Sequence, residues 1–275
     1  MANEFDVENP DKEELKRIYN DRNRYNWTFD LLDGYKDSED LYRMQAILNI
    51  IEEHKPFTVL DNGCGAAVIS RAIAHQGIKV VGFDLSEELL KKIQPTENLV
   101  LVTGDADKLP FEKSTFDCII CSEVLEHIID YKPAIKEMVR VLNEDGIVII
   151  TVPNLFCYDS VEGNFGIISK PITAVNLFLK LIGRRPVYQY GHNMHFHKMF
   201  PWQWRRVFES HGLKVEKEQA VFISPYIPNK LKVIERLFYS IPGMFRFKAW
   251  FDEQLCRIWP FKYLGQNHLF ICRKK

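Results

Sequence analysis

Apolar residues in the middle of the chain form short continuous runs that alternate with segments of helical periodicity. Between residues 57 and 152, five apolar runs of strand length are separated by segments in which apolar positions recur every three or four residues. The predicted strands are 57–61, 79–84, 99–103, 116–121 and 147–152. Continuous apolar strands joined by helices are typical of a parallel sheet covered on both faces. The pattern therefore predicts a doubly wound α/β domain.

The helical segments have recognisable starts and stops. An amphipathic helix runs from Leu41 to His54, and Ser86 is placed to cap a helix that Pro95 ends. Further helices are predicted at 67–76, 133–142 and 201–211, and later strands at 213–222 and 268–272. This organisation predicts an N-terminal helical cap over 1–56 and one domain over 57–275. Insertions at 155–190 and 224–264 interrupt that domain.

A glycine turn joins the first predicted strand to the next helix. Gly63 and Gly65 follow Asp61 at intervals of two residues, and neither glycine has a Cβ atom. Glycine adopts backbone dihedrals that other residues avoid, and it leaves room beside the chain. The helix N-terminus just beyond presents unpaired N–H groups that suit a carboxylate or a phosphate. We therefore expect a ligand to approach the backbone here.

Acidic residues follow the next two strands. Asp84 ends the second strand 19 positions after Gly65, where its carboxylate could accept hydrogen bonds from two ribose hydroxyls. Asp105 and Ala106 follow the third strand, where a side chain and a backbone amide could bind an adenine edge. The alternative roles are a helix cap for Asp84 and a solvated turn for Asp105. The ligand-binding interpretation of the two residues places a nucleoside at this edge of the sheet.

Two residues near the turn discriminate between nucleoside cofactors. A dinucleotide site has a third glycine or an alanine where this chain has Val68. Asp61 would repel a phosphate, whereas it would suit a cationic amino group. The residues therefore favour an amino acid joined to a nucleoside over a dinucleotide.

The ordered motifs resemble those of the class I S-adenosylmethionine-dependent methyltransferases, and of these the small-molecule enzymes of the ubiquinone and menaquinone pathways. The resemblance covers residues 57–152 and is looser at 192–222 and 265–274. It rests on Asp61-x-Gly63-x-Gly65, Asp84-Leu85-Ser86, Gly104-Asp105-Ala106, Leu109-Pro110-Phe111 with Phe116-Asp117, and Val141-Leu142-x-x-Asp145-Gly146.

The resemblance implies a Rossmann-like sheet of order 3-2-1-4-5-7-6, with an antiparallel seventh strand from residues 266–273. It also implies that S-adenosylmethionine binds with its amino group near Asp61, its ribose on Asp84 and its adenine near Asp105. The expected cofactor-binding residues are Asp61, Gly63, Cys64, Gly65, Asp84, Leu85, Gly104, Asp105, Ala106 and Cys121.

The resemblance continues through the run Glu123-Val124-Leu125-Glu126-His127 after the fourth strand. His127 is a candidate catalytic base, with a packing role in the strand-to-helix turn as the alternative. His195 is a second candidate, from a histidine cluster that precedes helix 201–211. Glu123, Glu126, His127 and His192 would also suit a divalent metal ion. Because similar runs occur in methyltransferases without a metal, we do not expect one.

Composition narrows the class of protein. The chain is 46% hydrophobic and 27% charged with a net charge of -1, so no overall charge favours nucleic acid. An acidic N-terminus, no apolar run of membrane-spanning length and cysteines in apolar strands predict a cytoplasmic protein. Leu231, Phe238 and Met244 lie among basic residues in the second insertion. That mixture predicts a helical subdomain, an apolar pocket for an aromatic or lipid-linked acceptor, or a peripheral membrane contact.

Three functions fit these residues. The first is methyl transfer to a small molecule, at an oxygen atom. The second is a methyltransferase-like module that binds the cofactor without catalysis. The third, a nicotinamide-dependent oxidoreductase, is disfavoured by Asp61 and Val68.

Overall fold

The computed structural model describes residues 38–154, 196–197, 199–221, 244–255 and 267–275, with the single residues 13 and 258. Its strands form one sheet of seven in the order β3-β2-β1-β4-β5-β7-β6. β7 runs antiparallel to both of its neighbours, whereas β1 to β5 pair in parallel. The predicted fold class and strand order are therefore confirmed.

The elements follow one another as the hydrophobic pattern predicted. The strands are β1 (Thr58–Asn62), β2 (Lys79–Asp84), β3 (Leu99–Thr103), β4 (Phe116–Ser122), β5 (Leu142–Pro153), β6 (Leu213–Val221) and β7 (Asn267–Lys274). The helices are α1 (Ser38–His54), α2 (Val68–Ala74), α3 (Glu87–Leu90), α4 (Tyr131–Val141), α5 (Pro201–Ser210) and α6 (Met244–Leu255).

Several predicted boundaries differ from the structure by one or more residues, and two of these differences have a clear local reason. α4 begins at Tyr131 rather than Pro133, because the Asp130 side chain caps it by accepting a hydrogen bond of 3.2 Å from the Lys132 backbone N–H. β5 begins at Leu142, five residues earlier than predicted, because Leu142 pairs with Phe116 across an irregularity in β4. Polar residues after Leu142 hid this pairing in the sequence pattern.

Each face of the sheet buries its own apolar cluster. α1 and α2 cover one face, where Ile47, Ile51 and Ile73 are fully buried. α4 and α5 cover the other face, where Met138 and Trp204 are buried. Truncating such a side chain to alanine typically costs about 2–5 kcal/mol. The sheet thus holds its strand ends on a rigid, fully packed support.

Several predicted features lie wholly or mainly outside the described residues. They are most of the N-terminal cap, the insertion at 155–190, His192, His195 and much of the insertion at 224–264. Their roles stay predictions. Within the described part of the chain, every helix is too short or too polar to cross a membrane.

Candidate cofactor and acceptor site

The turn after β1 folds tightly against β2. Gly63 and Cys64 both donate their backbone N–H groups to the Phe83 carbonyl, over 2.7 and 3.0 Å. Gly63 has a φ of 87°, and a Cβ added to it would lie 2.3 Å from Val124 Cγ2. Only glycine fits such a contact without movement of the neighbouring chain. Position 63 is therefore glycine because a larger residue would collide with Val124.

The carboxylate of Asp84 is held beside this turn. One oxygen accepts a hydrogen bond of 2.8 Å from the Gly65 N–H, and the other accepts one of 2.9 Å from the Ser86 N–H. Burial raises the pKa of Asp84, while these backbone hydrogen bonds oppose the rise. A carboxylate has about four acceptor positions, so these two bonds leave capacity for ligand hydroxyls. The turn and the end of β2 thus form one preorganised unit.

Asp61 lies buried behind the turn, at the end of β1. It accepts a hydrogen bond of 2.5 Å from the Ser70 hydroxyl on α2. Burial raises the pKa of Asp61 to about 6, and the charge of Asp84 adds to the rise. A cationic group placed beside a buried carboxyl group stabilises its ionised form, so the site favours binding of a cation. This role of Ser70 was not predicted from the sequence. A hydroxyl group on the apolar face of a helix is the signal that could have indicated it.

The motif Gly104-Asp105-Ala106 lies next to Asp84. The Gly104 N–H donates to the Asp84 carbonyl over 3.0 Å, and a Cβ on Gly104 would lie 2.5 Å from the Phe83 ring. Asp105 accepts a hydrogen bond of 3.2 Å from the Asp107 N–H, which closes a local turn. The ends of β1, β2 and β3 therefore bring Asp61, Asp84 and Asp105 to one edge of the sheet.

Three further predicted cofactor contacts differ in burial. Cys64 and Leu85 are half-buried beside the turn. Cys121 is fully buried within β4, and burial raises the pKa of its thiol. The role of each in cofactor binding stays a prediction.

Glu123 ties the ends of three strands together. It directly follows β4 with a φ of 57°, which is uncommon for a residue other than glycine. One carboxylate oxygen accepts a hydrogen bond of 2.9 Å from the Thr151 hydroxyl on β5. The other accepts one of 2.8 Å from the Asn267 amide on β7. Both oxygens of Glu123 are therefore engaged in holding the sheet edge.

Glu126 and His127 occupy a short 3₁₀ turn, Leu125–His127. Glu126 is buried, and neither of its carboxyl oxygens has a hydrogen-bond partner in the described part of the chain. Burial raises the pKa of Glu126 well above its usual range, and the charge of Glu123 adds to this, while Arg43 on α1 opposes it. His127 Nε2 lies 3.6 Å from a Glu126 oxygen, and its side chain is 29% exposed. A buried acid and a solvent-accessible imidazole thus lie side by side.

His197, the third member of the histidine cluster, has a structural role. Its Nε2 lies 2.8 Å from the Ile128 carbonyl oxygen and 3.1 Å from that of Ile129. Carbonyl oxygens only accept hydrogen bonds, so Nε2 carries the proton and donates it. The ring also packs edge-on against Tyr131, with centroids 4.6 Å apart. Across the described residues, no three His, Cys, Asp or Glu side chains are grouped to hold a metal ion.

Comparisons with known proteins agree with this geometry. A family model described as a methyltransferase domain matches residues 60–150. A demethylmenaquinone methyltransferase of Staphylococcus epidermidis is 36% identical over 111 residues, which are 38% of this chain and 46% of that protein. An uncharacterised protein of Methanocaldococcus jannaschii is 30% identical over 145 residues, which are 52% of this chain and 62% of that protein. The chain therefore spans less than two thirds of the length of either relative.

Solved structures share the fold at low identity. A chain from the complex between the Haloferax volcanii Trm112 methyltransferase activator and a methyltransferase has a TM-score of 0.57 at 17% identity, covering 95% of this chain and 97% of that one. A methyltransferase from Thermotoga maritima has a TM-score of 0.56 at 15% identity, covering 95% and 98%. The [4+2]-cyclase SpnF has a TM-score of 0.59 at 13% identity, covering 96% and 97%. Residues 60–150 therefore match a methyltransferase domain, and the strand order of the sheet is that of the Rossmann-like methyltransferase fold.

Proposed function

We propose that this protein transfers a methyl group from S-adenosylmethionine to an oxygen atom of a small-molecule acceptor. The observation that carries the proposal is the anchoring of Asp84 to Gly65, over 2.8 Å. It holds a carboxylate with spare acceptor capacity beside a glycine turn that has room for a ligand. A ribose with two free hydroxyls is the natural partner of such a carboxylate.

The charges at this edge of the sheet also suit this cofactor. Asp61 and Asp84 are both acids with raised pKa values, so added negative charge would be unfavourable beside them. A pyrophosphate is therefore a poor ligand here, which argues against a nicotinamide dinucleotide. A sulfonium nucleoside with a cationic amino group is a good ligand. In this assignment Asp61 binds the amino group, Asp84 the ribose, and Asp105 with Ala106 the adenine.

S-adenosylmethionine, when bound, supplies both the methyl group and its leaving group. The residues of this chain then have to align the acceptor and exclude water, which contributes about 7–11 kcal/mol of effective concentration in favourable cases. A hydroxyl acceptor must also lose its proton. His127 is the proposed base because its imidazole is partly exposed beside the buried carboxyl of Glu126. His195 remains a second candidate, and it lies outside the described residues.

The acceptor class is proposed from the relatives. The curated matches include demethylmenaquinone methyltransferases, whose name denotes a quinone-like small molecule. We infer that this chain acts on a small aromatic acceptor of similar chemistry. The [4+2]-cyclase SpnF shares the fold, so the acceptor and the reaction are assigned from the site rather than from the fold.

Calorimetry with S-adenosylmethionine, S-adenosylhomocysteine and NAD tests the cofactor. We expect both sulfur nucleosides to bind and NAD to give no heat. Asp84→Ala removes the hydrogen bonds to the ribose and should weaken S-adenosylmethionine binding about 100-fold. Asp145→Ala is the matched control, because Asp145 is exposed in β5, outside the cofactor edge. Absence of binding, or equal binding by the Asp84 variant, would rule out the assignment.

The alternative function, a module that binds the cofactor without catalysis, predicts no transfer of the methyl group. Incubation with methyl-labelled S-adenosylmethionine and a panel of phenols, catechols and reduced quinones distinguishes the two functions. Label transferred to a panel compound by the wild-type protein supports catalysis. Tight cofactor binding with no transfer to any member of the panel favours the binding module.

A further inference from the structure

Helix α6 presents three large aromatic side chains to solvent. Phe247, Trp250 and Phe251 are 54%, 57% and 44% exposed. Their spacing of three and four residues puts them on one side of the helix. The ring centroid of Phe247 lies 6.1 Å from that of Trp250 and 6.2 Å from that of Phe251. The three rings thus form one continuous apolar surface, which we call the aromatic face.

Exposed aromatic residues in such a cluster are unusual on a folded protein. Single apolar side chains at the surface are ordinary, but contiguous patches mark sites of interaction. Ile258, a few residues after the helix, is 54% exposed as well. Among the elements that the structure describes, none packs extensively against α6. The aromatic face is therefore exposed and is not covered by any element that the structure describes.

The charge of the surrounding sequence indicates what that partner is. Residues 228–264 contain seven Lys or Arg and only three Asp or Glu, in a chain whose net charge is -1. The segment that carries the aromatic face therefore has a net charge of +4 (7 minus 3), whereas the rest of the chain has a net charge of -5. Aromatic side chains beside excess positive charge match a bilayer surface, where rings insert at the headgroup level and anionic lipids attract Lys and Arg.

We propose that the aromatic face of α6 docks on an anionic phospholipid surface. Phe247, Trp250 and Phe251 insert at the boundary between headgroups and acyl chains, and the basic segment around them supplies long-range attraction. The proposal is independent of methyl transfer, since it concerns a surface distinct from the residues of the cofactor edge. A second copy of the chain or a protein partner would be a different occupant, and the experiment below separates these cases.

Cosedimentation with vesicles tests the proposal on the full chain. Vesicles of phosphatidylcholine alone are compared with vesicles that also contain phosphatidylglycerol, at low and at high salt. We expect binding to the anionic vesicles, weakened by salt because screening reduces the attraction. The triple variant Phe247→Ser, Trp250→Ser and Phe251→Ser should reduce partitioning about 10- to 100-fold. Trp202→Ser is the matched control, since Trp202 is also exposed but lies on α5, stacked on Phe200 at 4.5 Å.

A second measurement replaces an aromatic residue only by another aromatic residue, in case the triple variant fails to fold. Vesicles with brominated acyl chains should quench tryptophan fluorescence of the wild-type protein, and Trp250→Phe should remove most of that quenching while retaining binding.

Equal sedimentation with neutral and anionic vesicles, or quenching unchanged in Trp250→Phe, would overturn the proposal. So would a wild-type dimer in light scattering that the triple variant converts to a monomer, because the face would then join two copies. Cofactor binding, measured in parallel, reports separately on the proposed function.

Discussion

The Gly65 backbone N–H donates a hydrogen bond of 2.8 Å to the Asp84 carboxylate, and this contact joins the glycine turn to the end of β2. The two residues are 19 positions apart in sequence, yet each fixes the other. Gly65 has a φ of 52°, and a Cβ added to it would meet no atom of the described residues within 4 Å. In the described part of the chain, the space beside Gly65 is therefore open to a ligand.

This open space predicts that Gly65→Ala folds but binds S-adenosylmethionine poorly. A left-handed alanine costs about 1–2 kcal/mol, which a domain of this size tolerates. The added methyl group occupies the space that the cofactor would use, so we expect the affinity to fall at least about tenfold. Thermal unfolding and calorimetry on the same preparation measure both effects. Unchanged affinity would show that the cofactor does not approach Gly65.

Gly63→Ala serves as the contrasting variant, because its Cβ would lie 2.3 Å from Val124 Cγ2 at a φ of 87°. We expect it to lower the free energy of unfolding by about 3 kcal/mol or more, through strain and overpacking together. Gly77→Ala separates these causes, since Gly77 has a φ of 83° with open space around it. The steric part of the loss should appear only at Gly63, and Val124→Ala should restore part of it.

The raised pKa of Asp61, about 6, predicts that cofactor affinity depends on pH. A cationic amino group beside Asp61 lowers this pKa, so binding releases a proton whenever the free protein holds one. Affinity for S-adenosylmethionine should therefore rise as the pH rises through about 6 and then level off. The affinity should be measured below about pH 7, because the α-amino group of the cofactor stays protonated there.

Calorimetry in two buffers of different ionisation enthalpy measures the released proton directly. Asp61→Asn has no carboxyl group, so its weaker binding should show no such release and no pH dependence in this range. Proton uptake on binding, or a wild-type affinity that is flat with pH, would contradict the placement of the amino group beside Asp61.

Asp61 should lower the stability of the folded protein at neutral pH, although its ionised form is the one that binds the cofactor. Because burial raises the pKa of Asp61 to about 6, the folded state holds a proton that the unfolded state releases at lower pH. Stability is therefore lost as the pH rises from about 4 to 6, by up to about 3 kcal/mol. Asp61→Asn removes this loss, so its melting temperature without cofactor should exceed that of the wild type at neutral pH. At about pH 4 the two proteins should melt together, and a variant less stable at neutral pH would contradict the prediction.

Local patterns were enough to predict most of the fold. β2 and β3 have the predicted bounds, and Ser86 caps α3 by accepting a hydrogen bond of 3.3 Å from the Leu89 N–H. These features depend on neighbouring residues, such as continuous apolar runs and a capping serine. The glycine turn and Asp84 were predicted in the same way, because parallel strands bring their carboxyl ends to one edge.

Contacts between distant polar side chains could not be predicted from those patterns. Asn267 donates to Glu123 from 144 positions away, and nothing in the apolar periodicity pairs these two residues. The run from Glu123 to His127 was interpreted as a base or a metal site, with packing as the alternative, and the hydrogen bonds from neighbouring strands to both Glu123 oxygens were not predicted. His197 likewise donates to backbone carbonyls, a role that depends on how residues 128 and 129 turn.

The buried carboxyl of Glu126 predicts a pH-dependent gain in stability on substitution. Burial and the charge of Glu123 raise its pKa well above the usual range, so the folded protein holds a proton on Glu126 that the unfolded chain loses. Wild-type stability should fall as the pH rises above about 4.5, and Glu126→Gln should abolish this part of the fall. The difference in melting temperature between variant and wild type should therefore increase from acidic to mildly alkaline pH.

Glu126→Ala controls for packing, because it also removes the acid but leaves a cavity, so it should melt below Glu126→Gln at every pH. The opposite result for Glu126→Gln, a variant less stable than the wild type at neutral pH, would mean that Glu126 is ionised and held by Arg43. Glu126 would then interact as an anion with Arg43, which also pairs with Asp40 over 2.6 Å, and the substitution would remove that favourable interaction. A double variant, Glu126→Gln with Arg43→Gln, distinguishes the cases: it restores stability only if that interaction exists.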